Sequence, residues 1–388
     1  MHVNMSFLNQ VDLCEICKDV IQGRILSLNV GKSLCMGVVH INCGYSMFRF
    51  DREIYESMRV HRGDVISFLA NMYEHDGKCG ININAILDSI PCKGTLPNKQ
   101  FKGETENNRI VQCLFEPEKF EIIKRYSDVL KAMRIELYNN KFDEIITPVL
   151  FQKQSPSNAE SFQVETVNGQ TLYLKSIHEH LLKPYLLLGF DRVFEIGAVF
   201  RNIGYSHEYD CEFHNLDMWL KGNTLNELID LCLQMTRVAS MAVGSKELMS
   251  EVYTFEQYVN EFGLVDANDK KVKEYIRSNG FEKIIIINKK KENKRMKNFH
   301  IKETEDKAHN QEFHAYINGV SYAHGYCVKT DMISVDESMP DEKCQIFEEY
   351  AVYGIEEFGG VGIGMQKMMQ GLYNIDDYHL LNLYRRKY

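Results

Sequence analysis

The side chains best suited to chemistry in this 388-residue chain are its 13 histidines and 11 cysteines. Cys14 and Cys17 form the one Cys-x-x-Cys pair. No second pair follows at zinc spacing, and Val11 to Cys17 also reads as an amphipathic turn, so no metal is assigned there. His178, His180, His207, Cys211, His214, His324 and Cys327 are the other candidates. Such groups do acid–base or nucleophilic work, or bind a softer metal. His178 and His180 share a face if their segment is extended. These residues complete no known ligand motif, so the expected number of metal ligands is none. Phe213, Asn215 and Asp217 recur at the two-residue period of a strand, which puts them on one face.

The elements that must position these groups fall into differently textured stretches. Short strand-like runs occupy Val20 to Leu26, Met36 to Ile41, Asp64 to Leu69 and Gly80 to Ile86. With Gly31, Gly44, Gly63 and Gly77 between or beside them, they predict a small five-stranded barrel. Thr95 to Asn108 is polar, carries no apolar period and reads as a linker. From Pro117 to Asn140, apolar residues at helical spacing (Phe120, Ile123, Tyr126, Val129, Leu130, Met133, Leu137) predict a long amphipathic helix. Beyond it, Arg192 to Phe200, Phe213 to Leu220, Lys283 to Asn288 and Phe313 to Asn318 read as strands. Most lack regular crossover helices between them, which predicts an antiparallel sheet. The class is α+β: a barrel at 1–98, a linker at 99–116 and a second domain at 117–388.

Composition excludes much. The chain is 44% hydrophobic and 26% charged, as in an ordinary globular protein. No apolar run reaches the ~18–20 residues of a membrane helix, and no signal peptide is visible, so no membrane partner is expected. Scattered cysteines fit reduced thiols and a cytoplasmic setting. The net charge of -9 does not suit a protein whose main task is gripping nucleic acid. Met1 to Gln100 carries balanced charge, with no basic arm. Phe48-Arg49-Phe50 is either a base-stacking patch or, as alternation favours, a pair in the barrel core. The basic run Lys289 to Lys297 reads as a solvated loop, with nucleic-acid contact as the minor alternative.

Three segments in order resemble the class II aminoacyl-tRNA synthetases of the lysine/asparagine/aspartate subgroup. Phe142 to Leu150, through Pro148, resembles motif 1, which in that family builds a dimer interface. Asp191 to Asn202, followed by Glu212-Phe213, resembles motif 2, with a loop length closest to the lysine enzymes. Phe358 to Lys367 resembles motif 3, a glycine-rich strand running into a helix. The resemblance implies a barrel of the OB-fold, anticodon-binding kind, a catalytic domain built on an antiparallel sheet flanked by helices, and a homodimer. It also implies adenylation, in which an amino-acid carboxylate attacks the α-phosphate of ATP with magnesium bound.

By that resemblance Arg201 meets the α-phosphate and the substrate carboxylate, and Phe213 stacks on adenine. Glu179, in the run Ser176-Ile-His178-Glu179, meets the substrate ammonium, with Asn215 and Asp217 beside the amino acid. Taken with the residues that border the site, the assigned positions are Arg201, Lys367 and His324 for catalysis, and Ser176, His178, Glu179, Phe213, Asn215, Asp217 and Ser321 for substrate. The departures from the family are equally specific. Ile203 replaces the motif 2 glutamate after Arg-Asn, and Tyr209 is the nearest occupant where the loop histidine is lost. Lys367, preceded by Gln366, replaces the motif 3 arginine, losing its planar fork. Ser321 and Val328 stand where the family carries magnesium-binding glutamates, and neither matches a carboxylate against a hard cation. At a few kcal/mol each, such losses lower an adenylation rate by many powers of ten.

Three readings follow. In the first, a diverged enzyme outside ordinary tRNA charging binds an amino acid or related amine carboxylate, with altered or absent ATP activation. In the second, a pseudo-synthetase acts as a binding or regulatory module. In the third, the chain is an ATP-dependent tRNA ligase with an unusual ATP site. Any activation in the first reading relies on Lys367 and an altered metal arrangement, or on no ATP at all. The departures weigh against ATP, magnesium and a tRNA partner.

Overall fold

The computed structural model describes residues 17–94, 108–154, 160–244, 248–253, 283–290, 309–328 and 353–384, with isolated exceptions. The chain divides into two compact units, one of 1–123 with 382–387 and one of 124–381 with Tyr388. In the first, β1 (Ile21–Val30), β2 (Leu34–Ile41), β3 (Gly44–Asp51), β4 (Val65–His75) and β5 (Lys78–Ile90) close a barrel in the order β1-β2-β3-β5-β4. This is the five-stranded barrel the turn spacing predicts. Its strands alternate buried and open positions, as a barrel filled by its own side chains requires. Helix α1 (Arg52–Met58) lays Ile54, Tyr55 and Met58 against that core. Gly37 has no alternative, because a Cβ there would stand 1.9 Å from the Ser27 carbonyl oxygen, beside the β1 bulge.

Phe48 and Phe50 are both buried in the barrel, their rings stacked with centroids 5.6 Å apart. They fill the core and offer no stacking face to a base. Phe48→Ala is expected to cost about 3–5 kcal/mol, the range for deleting a buried aromatic. A lowered denaturant midpoint for the barrel would register it. The assigned linker, 99–116, ends in a helix, α2 (Arg109–Phe115), whose Asn108 cap accepts the Val111 N–H at 3.2 Å. Residues 99–107 lie outside the described ones.

The long predicted helix is α3 (Pro117–Asn139); its second-unit part buries Tyr126, Val129, Met133 and Leu137 at helical spacing. The sheet that follows uses β6 (Asp143–Glu144), β10 (Arg192–Phe200), β11 (Glu212–Lys221), β12 (Met249–Tyr253), β13 (Lys283–Lys290), β14 (His309–Ile317), β15 (Val320–Cys327) and β16 (Phe358–Gly364). Its order is β12-β13-β14-β15-β16-β11-β10-β6. All neighbours run antiparallel except β6/β10 and β12/β13, so the sheet is mixed at its edges. A side sheet carries β7 (Leu150–Phe151), β8 (Gln163–Glu165) and β9 (Thr171–Leu174), in the order β7-β9-β8. Helices α4 (Glu179–Leu187), α5 (Leu225–Ala242) and α6 (Met365–Tyr373) pack on the main sheet. A full capping box, Thr224 with Glu227, starts α5. Lys289 and Lys290, expected in a loop, end strand β13, and 291–297 lie outside the described residues. Among described residues no helix is long and apolar enough to cross a membrane, and no disulfide forms.

Candidate functional site

Strand β11 carries the site on one face. Phe213, Asn215, Asp217 and Trp219 alternate inward at the two-residue period and line a cavity of about 330 Å³. Glu179, the first residue of α4, and Arg201, just beyond β10, enter from neighbouring elements, and Ser321, His324 and Tyr326 come from β15. Opposite β11, β16 supplies space. Trp219 pairs with Gly360, Asp217 with Gly362 and Asn215 with Gly364. A Cβ on Gly360 would stand 2.4 Å from the Trp219 ring, and one on Gly362 2.8 Å from an Asp217 carboxylate oxygen. The glycine-rich strand read in the sequence as motif 3 is therefore what lets the large β11 side chains lie across it.

Charge is arranged within this cavity. Arg201 donates from Nε to the Ser176 carbonyl at 3.4 Å, and its guanidinium lies 5.0 Å from the Phe213 ring centroid. Burial lowers its pKa, and Asp217 opposes that shift. Asp217 accepts from Asn215 Nδ2 at 2.8 Å; burial raises its pKa, and His178 pulls it back. Glu179 accepts from Lys183 Nζ at 2.5 Å and from the Tyr326 hydroxyl. Lys183 in turn lies 4.6 Å from the Trp219 ring, a cation held against an aromatic face.

A buried polar network adjoins the cavity. Glu195 lies directly across from Asp217 in the β10/β11 register. It accepts from Lys175 Nζ at 2.6 Å and from Thr147 Oγ1 at 2.6 Å, and it stands 3.1 Å from His178 Nδ1. His178 Nε2 faces the Gly197 carbonyl at 3.2 Å. Burial alone would raise the Glu195 pKa; His178, Lys175 and Thr147 overcome it and hold the carboxyl at about 2.

Of the residues singled out from sequence, Arg201, Glu179, Phe213, Asn215, Asp217, Ser321 and His324 meet in the one cavity. Ser176 and His178 are buried outside its lining, and Lys367 is directed to Gln370 Oε1 at 3.2 Å. His178 and His180 do not share a face. The segment is not extended, because α4 begins at Glu179; His178 turns to Glu195, while His180 packs edge-on to Phe151. His214 points to the other side of β11, facing the Tyr126 hydroxyl at 3.0 Å, and Cys327 is buried against Asn223. Cys211 lies beside its neighbour Asp210, its Sγ 3.3 Å from the carboxylate. His207 and Cys14 lie outside the described residues. Sequence reading missed Trp219, which obeys the same alternation as Asp217, and the Lys175–Glu195 pair, which no local spacing reveals.

The fold and this site define a class of protein. Residues 103–384 match the family model of class II tRNA synthetases (D, K and N), and the chain belongs to that family. Among solved structures it is similar to asparaginyl-tRNA synthetase from Pyrococcus horikoshii, in complex with asparaginyl-adenylate (TM-score 0.78, 12% identity, 98% of each chain). It is also similar to the Entamoeba histolytica asparaginyl-tRNA synthetase (TM-score 0.79, 14% identity, 94% of each chain). At these identities the likeness is one of fold. In sequence it is 30% identical to the lysylphosphatidylglycerol biosynthesis bifunctional protein LysX of Mycobacterium sp. (strain KMS), over 49% of this chain and 18% of that protein. It is 26% identical to the lysine–tRNA ligase of Mycoplasma capricolum, over 51% of this chain and 41% of that enzyme. The chain thus spans less than half the length of these curated relatives.

Proposed function

We propose that this chain binds an amino acid or related amine carboxylate and acts on it outside ordinary tRNA charging, with ATP activation altered or absent. The observation that carries this reading is the charge layout of one cavity, which gathers the Arg201 guanidinium to meet a carboxylate and the oxygens of Glu179, Asp217 and Asn215, each already in a hydrogen-bonded arrangement, to accept from an amine. The name of one relative, which refers to lysylphosphatidylglycerol biosynthesis, supports a role beyond charging. The magnesium that the family implies does not fit its two expected ligand positions. Ser321 offers only a hydroxyl, and Val328 is 1% exposed in an apolar cluster with Leu182, Trp219 and Phe358.

Val328 also favours a second reading, a binding module without turnover, since it brings core packing to a position that otherwise carries charge. Thermal melting against the twenty amino acids, each with and without magnesium-ATP, tests both. The expected result is a shift with one amino acid alone, about 2.7 kcal/mol of stabilisation at 100-fold saturation. Turnover of that amino acid then separates enzyme from module. A shift that needs ATP as well, with pyrophosphate exchange, would support the ligase reading instead. No shift with any amino acid would end the amine-carboxylate reading.

A further inference from the structure

We infer that Glu312, His314 and His324 form a binding site for a divalent transition metal, zinc by preference, in the wall of the same cavity. The site comes from the register of one hairpin. Strands β14 and β15 pair antiparallel with His314 directly opposite His324, and their rings stack 4.4 Å apart. Glu312 lies two residues before His314, so the strand period turns it to the same face. One donor atom from each of the three lies within 4.8 Å of the others.

A second observation points to a ligand. Glu312 is 3% exposed, and its Oε2 has no hydrogen-bond partner among the described residues. His324 Nε2 stands 3.8 Å from it, a nitrogen atom that is likewise buried and without a hydrogen bond among the described residues. A buried carboxylate oxygen without a donor is costly, and an imidazole nitrogen facing it at this distance does not satisfy it. A cation between them satisfies both. Two ligand arms of about 2.0–2.2 Å span a gap close to the one seen here. Two neutral imidazoles and one carboxylate are the donor set that suits zinc and its neighbours and that magnesium and calcium disfavour.

Three protein ligands leave a fourth position, the arrangement of zinc sites that engage a substrate. His314 and His324 both line the cavity, so that position opens toward its occupant, on the β15 side, away from Arg201's contacts with Ser176 and Phe213. The metal site stands whether or not the occupant is an amino acid.

The test uses the full chain, stripped with a chelator and titrated with cobalt(II) as a spectroscopic stand-in for zinc. One cobalt per chain is expected, with the visible bands of a four-coordinate nitrogen and oxygen site and without thiolate charge-transfer absorption. Glu312→Gln and His324→Gln should each weaken binding about 100-fold or more, whereas His61→Gln, an exposed histidine of the barrel, should not change it. Zinc should raise the melting temperature of the parent chain and not of the two variants. Glu312→Gln removes a buried charge and should melt no lower than the metal-free parent, which separates lost binding from lost folding. Absence of saturable cobalt binding, equal binding by parent and variants, or thiolate bands would each overturn the inference.

Discussion

Glu195→Ala is expected to destabilise the second unit by about 3–5 kcal/mol, the range for removing one partner of a buried ion pair. Lys175 is 2% exposed and His178 is fully buried, so neither recovers water when the carboxylate goes. Lys175 Nζ would keep only the Thr147 hydroxyl and carbonyl, and His178 Nδ1 would lose the oxygen 3.1 Å away. Glu195→Gln keeps the shape and should cost less. Trp219, the chain's single tryptophan, sits in this unit, so its fluorescence in a urea titration reads the effect directly. An unchanged midpoint for Glu195→Ala would show that the network contributes nothing to stability.

The same network sets a pH dependence. Glu195 has a folded pKa of about 2 against an ordinary value of 4.5, so its stabilisation is complete above about 4.5 and is lost as pH falls toward 2. His180 acts in a higher window. Burial lowers its pKa from 6.5 to about 4, and neither ring nitrogen is hydrogen-bonded among described residues. The fold holds it neutral, so its contribution is complete above about 6.5 and is lost as pH falls through about 4. His180→Leu should flatten the loss of stability between these values, and Glu195→Gln the loss below 4.5. Urea midpoints across that range separate the two.

Arg201→Ala is expected to weaken amino-acid binding at least 100-fold, about 2.7 kcal/mol, and to abolish the melting shift. The guanidinium is held by the Ser176 carbonyl and lies against Phe213, so it meets a carboxylate already oriented. Arg201→Lys should recover only part of the loss, because an ammonium lacks the two-pronged donor geometry. Asp217→Asn keeps the size of the side chain beside Asn215 and removes its charge, so it should discriminate against the amine end of the ligand. Isothermal titration with the amino acid found by melting measures all three. Full affinity in Arg201→Ala would remove the proposed carboxylate site.

What could be read in the sequence follows from the range of each signal. The barrel was legible because short apolar runs and turn glycines are local, and one face of β11 because alternation fixes it over five residues. The same rule carries on to Trp219, which was overlooked. His178 and His180 share a face only if their segment is extended, and spacing alone does not reveal that the chain enters a helix at Glu179. Glu312 and His314 escaped notice because their meeting with His324 depends on a hairpin register, shifted by an irregularity at Ala315 and Tyr316. Lys175 reaches Glu195 across twenty residues of chain and a change of sheet, beyond any local pattern.

The glycines of β16 also bear on how this cavity changes over generations. Gly360, Gly362 and Gly364 contribute no side chains, so along this strip the cavity wall takes its shape and charge from residues 215, 217 and 219 of the adjoining strand. A lineage can therefore exchange those three letters, and with them the molecule it holds, while the backbone scaffold beneath stays constant. The converse also holds: a side chain gained at Gly360 or Gly362 would close the space for every ligand at once. Ligand preference in this architecture is thus free to drift along one strand and forbidden to drift along its neighbour.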